Sequence, residues 1–248
     1  MTLASVFELV LMAVVGACLG SFVATAAIRA SRGKQTLLGR SQCDHCGAAV
    51  SYSRSIPIAS FLIARGRCRR CGGAIARVHL AGEIAGASLV PLAFAVTSPL
   101  RAVLIAGLGL TLFGLSTVDV KTMRVPDGLT LAVGGQALCL ALLRGREAAL
   151  AAVFCAVVAV ATLEGLRRAY LNLRGEPGLG LGDVKLVGAL ALWLGLSTPV
   201  AVGIAALLGL AAAWRLKLGA GRLPFAPFLA AAAFGTGIVV EAVARAAP

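Results

Sequence analysis

The sequence predicts an all-α polytopic membrane protein, a bundle of about eight transmembrane helices with a small zinc-ribbon-like loop on the cytoplasmic side. Three observations carry that expectation. Of 248 residues, 59% are hydrophobic and only 13% charged, and the mean hydropathy is +0.94; soluble domains are roughly half apolar and a quarter charged. The apolar residues fall in runs near the roughly 20 that cross a bilayer as a helix. The basic residues lie almost entirely between those runs. Together these exclude a soluble globular enzyme, which would lack polar surface to cover itself, and a disordered chain.

The expected spans are 5–27, 79–97, 101–118, 128–143, 147–166, 184–196, 199–214 and 226–246. Ser98-Pro99, Pro126-Asp127-Gly128, Arg144-Gly145-Arg146, Ser197-Thr198-Pro199 and Pro224 to Pro227 punctuate them. The first is too long to be a cleaved signal peptide. No strand-like alternation points to a β-barrel, and the Gly and Ala within the runs suit close helix packing in lipid. With the N-terminus outside, 19 of the 23 Lys and Arg fall in inner loops; merging 184–214 into one span would weaken that asymmetry. The net charge of +13 therefore reads as positive-inside bias, not as a nucleic-acid surface. The organisation expected is a first transmembrane helix over 1–27, a cytoplasmic four-Cys loop over 28–78, and a transmembrane catalytic core over 79–248.

Seven cysteines divide by context. Cys18, Cys139 and Cys155 lie in apolar runs, where a free thiol behaves as a small hydrophobe. Cys43, Cys46, Cys68 and Cys71 form two C-x2-C turns in the polar loop. Two such turns complete a tetrahedron of thiolates around Zn²⁺. A reducing cytoplasm argues against two disulfides; a redox pair, or no ligand at all, is the remaining alternative. His45 is expected to stay outside a coordination sphere already filled by four thiolates. Arg65, Arg67, Arg69 and Arg70 flank the second pair and would offset its charge.

Ten acidic residues exist. Asp119 closes the apolar run from Leu110 to Val118, and Asp183 closes Gly180-Leu181-Gly182-Asp183 and opens the run from Val184. Both are thereby placed at the cytoplasmic edge, where an ionisable group points to function. Two carboxylates sharing a site cannot both ionise cheaply, so one can activate water while the other polarises a carbonyl, the division of labour of an aspartic peptidase. The dipoles of their own helices assign the resting proton to Asp119 and the charge to Asp183. Gly178, Gly180 and Gly182 are expected to adopt conformations closed to other residues and to admit an extended substrate. The competing structural reading is a plain loop with Asp183 as N-cap. Asp127, in a Pro-Asp-Gly turn, is expected to be structural.

With these residues in view, the sequence resembles the prepilin peptidase family, or type IV leader peptidases, bacterial membrane aspartic peptidases of the G-x-G-D kind. The resemblance lies in Gly20-Ser21-Phe22, the paired C-x-x-C with Arg65-Gly66-Arg67-Cys68-Arg69, Asp119 through Pro126-Asp127, Gly178 through Leu186, and Pro224-Phe225-Ala226-Pro227-Phe228-Leu229. It implies cleavage of type IV prepilins and type II secretion pseudopilins after a Gly at the cytoplasmic end of the substrate's apolar segment, in the bacterial inner membrane, with Asp119 and Asp183 as catalytic pair. The long cysteine-bearing loop is similar to that of members that also methylate the new N-terminus from S-adenosylmethionine. Expected partners are prepilins or pseudopilins, held by helix packing in the membrane, and lipid, with no nucleic acid. Two rivals use the same residues: a proton-coupled transporter with the aspartates as relay, and a zinc-ribbon binding module on a membrane anchor.

Overall fold

The computed structural model describes residues 3–33, 39, 41–51, 55–176, 178–217 and 223–246. Lys34, Arg40, Arg54 and Arg222, counted above among the basic loop residues, lie outside the described residues. Two compact units divide the chain, residues 1–95 and 96–248. Among the described residues all regular structure is helical, apart from two isolated bridges in the cysteine loop.

The first unit contains α1 (Leu3–Ser31), the short α2 (Ala59–Ile63) and α3 (Arg77–Val96), which ends at the unit boundary. Four glycines set how α1 meets α3. A Cβ on Gly20 would run into the carbonyl of Gly82, and Gly16 and Gly86 stand against each other's backbone in the same way. Each helix thus presents a G-x-x-x-G face, and the two backbones touch where side chains would hold them apart. One turn away, the buried Glu83 accepts hydrogen bonds from Ser21 Oγ (2.9 Å) and the Ile58 N–H (2.6 Å). Much of α1 remains exposed, including Phe7, Val10, Leu11 and Val14, as suits a helix facing lipid.

The second unit holds α4 (Pro99–Thr122), α5 (Asp127–Leu142), α6 (Arg146–Arg174), α7 (Leu181–Leu194), α8 (Thr198–Arg215) and α9 (Ala226–Ala246). Each of the eight predicted runs is therefore a helix, with shifted ends. Two shifts have clear causes. Helix α6 runs on to Arg174 because Glu164 pairs with Arg167 (2.6 Å) and Arg168 (2.7 Å) at i,i+3 and i,i+4 spacing, and Gly175 closes it in the left-handed conformation. Helix α7 begins at Leu181 with Gly180 as N-cap, so Asp183 lies inside its first turn instead of before it.

Six apolar stretches are long enough to cross a membrane when 181–215 is counted as one run, and α5 is shorter. Alone, α7 rises about 21 Å and α5 about 24 Å, less than the roughly 30 Å hydrocarbon slab. The 181–215 run is nonetheless two helices. A 3₁₀ turn at Gly195–Ser197 interrupts it, with Gly195 at φ +54°. Farther along α8, Gly209 lies beside Leu223, Phe225 and Phe228 at the start of α9. Helix α8 therefore returns toward the end from which α9 sets out.

Helix α7 packs on α5, α6 and α9, and α4 packs on α5 and α9. The core between them holds Leu108, Leu112, Leu115, Leu140, Leu186, Leu190, Trp193 and Leu229, all nearly inaccessible. Gly237 leaves the space that the Trp193 indole fills. One end of this core is locked by charge. Glu241, buried on α9, accepts from Arg101 at the start of α4 (2.5 Å), from Arg144 after α5 (2.6 Å) and from Trp193 Nε1 on α7 (3.1 Å); Arg144 also donates to the Trp193 carbonyl (2.9 Å). Arg101 and Arg144, which read as outer-loop charges in the sequence, instead clamp four helices.

Candidate functional site

The opposite end of the same unit gathers the last turn of α4 and the first turns of α5, α7 and α9. Asp119 reaches it on the last turn of α4, which Met123 closes in the left-handed conformation while its N–H bonds the Asp119 carbonyl (2.7 Å). The Asp119 side chain is only 5% exposed. Its Oδ2 accepts from the backbone N–H of Ala226 (3.2 Å), a donor freed at the N-terminus of α9 because the first N–H groups of a helix have no partner within it. Pro224-Phe225-Ala226-Pro227 was visible in the sequence as a motif without a chemical task; it supplies that donor. The division of proton and charge drawn from the dipoles of α4 and α7 alone does not follow, because a third helix terminus also points at Asp119.

Asp183 occupies the third position of α7 and is half-buried. Its carboxylate lies beside the backbone of Gly180, the N-cap residue, so its negative charge stands at the N-terminus of its own helix. The N-cap reading of Asp183 is thus corrected to a reach back onto the cap. Asp119 and Asp183 lie near enough for the charge of one to act on the other. Sequence placed both at a helix end; the structure brings those ends together through α5 and α9, which pack on both α4 and α7.

The three glycines before Asp183 are needed for a different reason from the one expected. Gly180 has φ −70° and Gly182 lies inside α7, so conformational freedom is not the use of these two. A Cβ on Gly178 would meet the Tyr170 ring at 2.8 Å, and one on Gly182 would meet Val125 at 2.8 Å. At Gly180 the atoms within reach are those of the Asp183 carboxyl group, with Oδ2 at 2.9 Å. Any side chain there would cover that carboxylate. Asp127 is exposed at the start of α5, whose N-cap is Pro126, and pairs with Lys185 of α7 (2.9 Å). That bridge ties α5 to α7 but, being solvated, contributes little to stability.

In the first unit the cysteines form two nearly identical turns. Cys43 N–H bonds the Ala48 carbonyl (2.9 Å) and Gly47 N–H the Cys43 carbonyl (2.9 Å); Cys68 with Gly73 and Gly72 with Cys68 repeat the pattern at 2.8 Å each. Gly47 and Gly72 take φ +67° and +74°, the left-handed conformation that glycine adopts without strain. The four Sγ atoms all lie within 4.8 Å of one another, with Cys43 and Cys71 at 3.8 Å. A tetrahedral zinc with bonds of about 2.3 Å sets sulfurs about 3.8 Å apart, so the donor set fits a metal ion. Backbone N–H groups of Cys71 and Arg70 at the Cys68 sulfur hold that thiol down, at about 6. Cys71 faces the Gly73 N–H, yet desolvation and the three neighbouring sulfurs push it up to about 11. Four thiolates this close repel unless a cation lies between them. His45 stands aside, its Nε2 donating to the Ala74 carbonyl (3.2 Å), while Arg32 grips Asp44 through two bonds (2.6 and 3.1 Å) and holds its carboxyl below the ordinary range.

A helical membrane core with two carboxylates at one end, and a second unit with four thiols spaced to hold a metal ion, defines a class of membrane protein before any comparison. The comparisons identify which. Residues 14–97 match the bacterial peptidase A24 N-terminal domain, and residues 106–239 match the type IV leader peptidase family. The chain belongs to the type IV leader peptidase family. A prepilin leader peptidase/N-methyltransferase of Burkholderia pseudomallei is 38% identical over 204 residues, covering 79% of this chain and 66% of the relative. Proteins of the same name from Dichelobacter nodosus and Aeromonas hydrophila are 32% and 34% identical, covering 81% and 79% of this chain and 71% and 70% of theirs. The chain thus spans about two thirds of the length of these relatives. No solved structure matches it.

Proposed function

We propose that the protein is an aspartic endopeptidase of the membrane edge, removing the leader from type IV prepilins and type II secretion pseudopilins after a Gly. Its site would face the cytoplasm from the bacterial inner membrane, as the distribution of Lys and Arg supports. What supports the reading is that Asp119, on the last turn of α4, and Asp183, on the first turn of α7, lie at the same end of the helical core, near enough for the charge of Asp119 to act on Asp183. In this mechanism one carboxylate takes a proton from water as the water oxygen attacks the scissile carbonyl. The other, protonated, donates to the carbonyl oxygen. Collapse of the tetrahedral intermediate then delivers a proton to the leaving amide nitrogen, and each carboxyl returns to its starting state. The Ala226 N–H keeps Asp119 oriented throughout, and the bare Gly180 leaves Asp183 open to the peptide. A proton-relay transporter would instead string its carboxylates along a path through the bundle; here both stand at one end.

Cys43, Cys46, Cys68 and Cys71 would hold a structural zinc, which closes the loop and performs no chemistry itself. The purified protein is expected to carry about one zinc per chain. Cys68→Ser and Cys71→Ser are expected to lose it while leader cleavage is retained at least in part; metal-free wild type of unchanged stability would refute the zinc site. N-methylation of the new N-terminus is the second proposed activity, supported by the relatives' names, and S-adenosylmethionine would supply the methyl group. The peptidase is tested by incubating the detergent-purified protein with a full-length prepilin bearing Gly before Phe. Mass spectrometry should find one cut, after that Gly; an uncleaved substrate rejects the reading.

A further inference from the structure

Helices α5, α6 and α7 border an open groove of about 1250 Å³ that is lined almost wholly by apolar atoms. Each helix contributes a stripe at three- and four-residue spacing. The floor is unusually bare: Gly134 and Gly135 on α5, Ala161 and Gly165 on α6, and Gly188 and Ala189 on α7. From Asp127 to Leu138 along α5 the groove is about 16 Å long, so its mean cross-section is near that of a cylinder about 10 Å across, the width of an α-helix with small side chains. Asp127 and Lys185 form one lip of its polar mouth, and Glu164 and Arg168 the other. That mouth is at the aspartate end, since Lys185 is two residues from Asp183.

We propose that this groove seats the apolar helix of the substrate, a membrane-inserted polypeptide with a face of small side chains and a basic segment emerging between Asp127 and Glu164. The inference rests on the peptidase reading and deepens it by giving the substrate a place. Small residues on both partners let helices approach closely, and van der Waals packing is what drives association within lipid. Charge argues for the same occupant. In a chain of net charge +13, Asp127 and Glu164 offset two of the three cations at this mouth, Lys185, Arg167 and Arg168, so a basic leader is repelled less there than at the surrounding loops. On α7 the groove stripe at Lys185, Gly188, Ala189 and Leu192 is opposite the face of Asp183, Val187, Leu190 and Leu194, at 100° per residue. A substrate helix seated there ends just behind the catalytic turn. Its extended continuation crosses the first turn of α7, over Gly180, to reach the carboxylates.

Two glycines make the test clean. No described atom lies within 4 Å of a Cβ placed on Gly135 or Gly165, so a side chain starts freely at either position, and Gly135→Leu and Gly165→Leu project into the groove. Gly203→Leu and Gly235→Leu, equally open on α8 and α9, are matched controls outside it. Cleavage of a full-length substrate in proteoliposomes should fall at least tenfold in the two groove variants and stay at the wild-type rate in the controls. A short soluble peptide spanning the scissile bond but lacking the apolar helix should be cut equally by all. Wild-type-like cleavage of the full-length substrate by both groove variants would overturn the groove, whereas a wild type that cuts neither substrate overturns the peptidase reading. A photo-crosslinking residue in place of the 76% exposed Leu131, in an Asp119→Asn background, should trap the substrate helix; adducts with lipid alone would also reject the proposal.

Discussion

Asp119→Asn and Asp183→Asn are each expected to abolish leader cleavage, lowering the rate by about 10²–10⁴-fold, the usual contribution of a positioned acid or base. Asparagine is chosen because it isolates the proton. Its amide oxygen can still accept the Ala226 N–H that Asp119 accepts (3.2 Å), and at position 183 the half-buried side chain keeps its size. Both variants should therefore fold and melt as the wild type does. Asp119→Ala would not serve, since it strands a buried N–H at a cost of about 1–3 kcal/mol and confounds chemistry with stability. Because the two groups work on one substrate, the double Asn variant should be little worse than either single one. Initial rates on purified prepilin, with Tm measured alongside, decide the matter. Cleavage at the wild-type rate in either single variant removes that residue from the reaction.

The second large effect is expected at the far end of the core. Glu241 is nearly inaccessible and is shared by Arg101, Arg144 and the Trp193 indole. Removing its carboxylate leaves two guanidinium groups facing each other with 20% and 25% of their side chains exposed. Glu241→Ala should destabilise the second unit by roughly 3–5 kcal/mol, as breaking a buried pair from one side does. SDS-induced unfolding in mixed micelles reads this directly. Replacing all three charges at once, as Arg101→Met, Arg144→Met and Glu241→Leu, should recover much of that loss, because the cost lies in the stranded cations more than in the missing attraction. A single Glu241→Ala that unfolds at the wild-type SDS fraction would show that water reaches the clamp and solvates the arginines.

The clamp also shows where sequence reasoning stops. The apolar runs that form helices, the C-x2-C pairs and the two carboxylates at helix ends were all legible, because each follows from local pattern: run length and its punctuation, thiolate spacing against a tetrahedron, an acid at the boundary of an apolar run. The α7–α8 break could be weighed from loop charges before any coordinates. Glu241 and Glu83 could not be placed, since one carboxylate at a span boundary looks like another until its donors are known. Likewise Gly16, Gly20, Gly82 and Gly86 read only as small residues, and Gly178 and Gly182 as a flexible loop, when their task is to lie against Val125, Tyr170 or another backbone.

What the amino-acid order determined by itself was therefore which segments enter lipid and which side chains are too costly there to be idle. Hydrophobic run length and charge placement act residue by residue, and lipid enforces them without help from the rest of the fold. Only the tertiary structure decided who meets whom. The Ala226 N–H on Asp119, the bare Gly180 over Asp183 and the groove behind α7 each join residues far apart in the chain. Their contacts depend on helix rotation and crossing, which are settled by side-chain packing across interfaces and leave no periodic trace in any one segment.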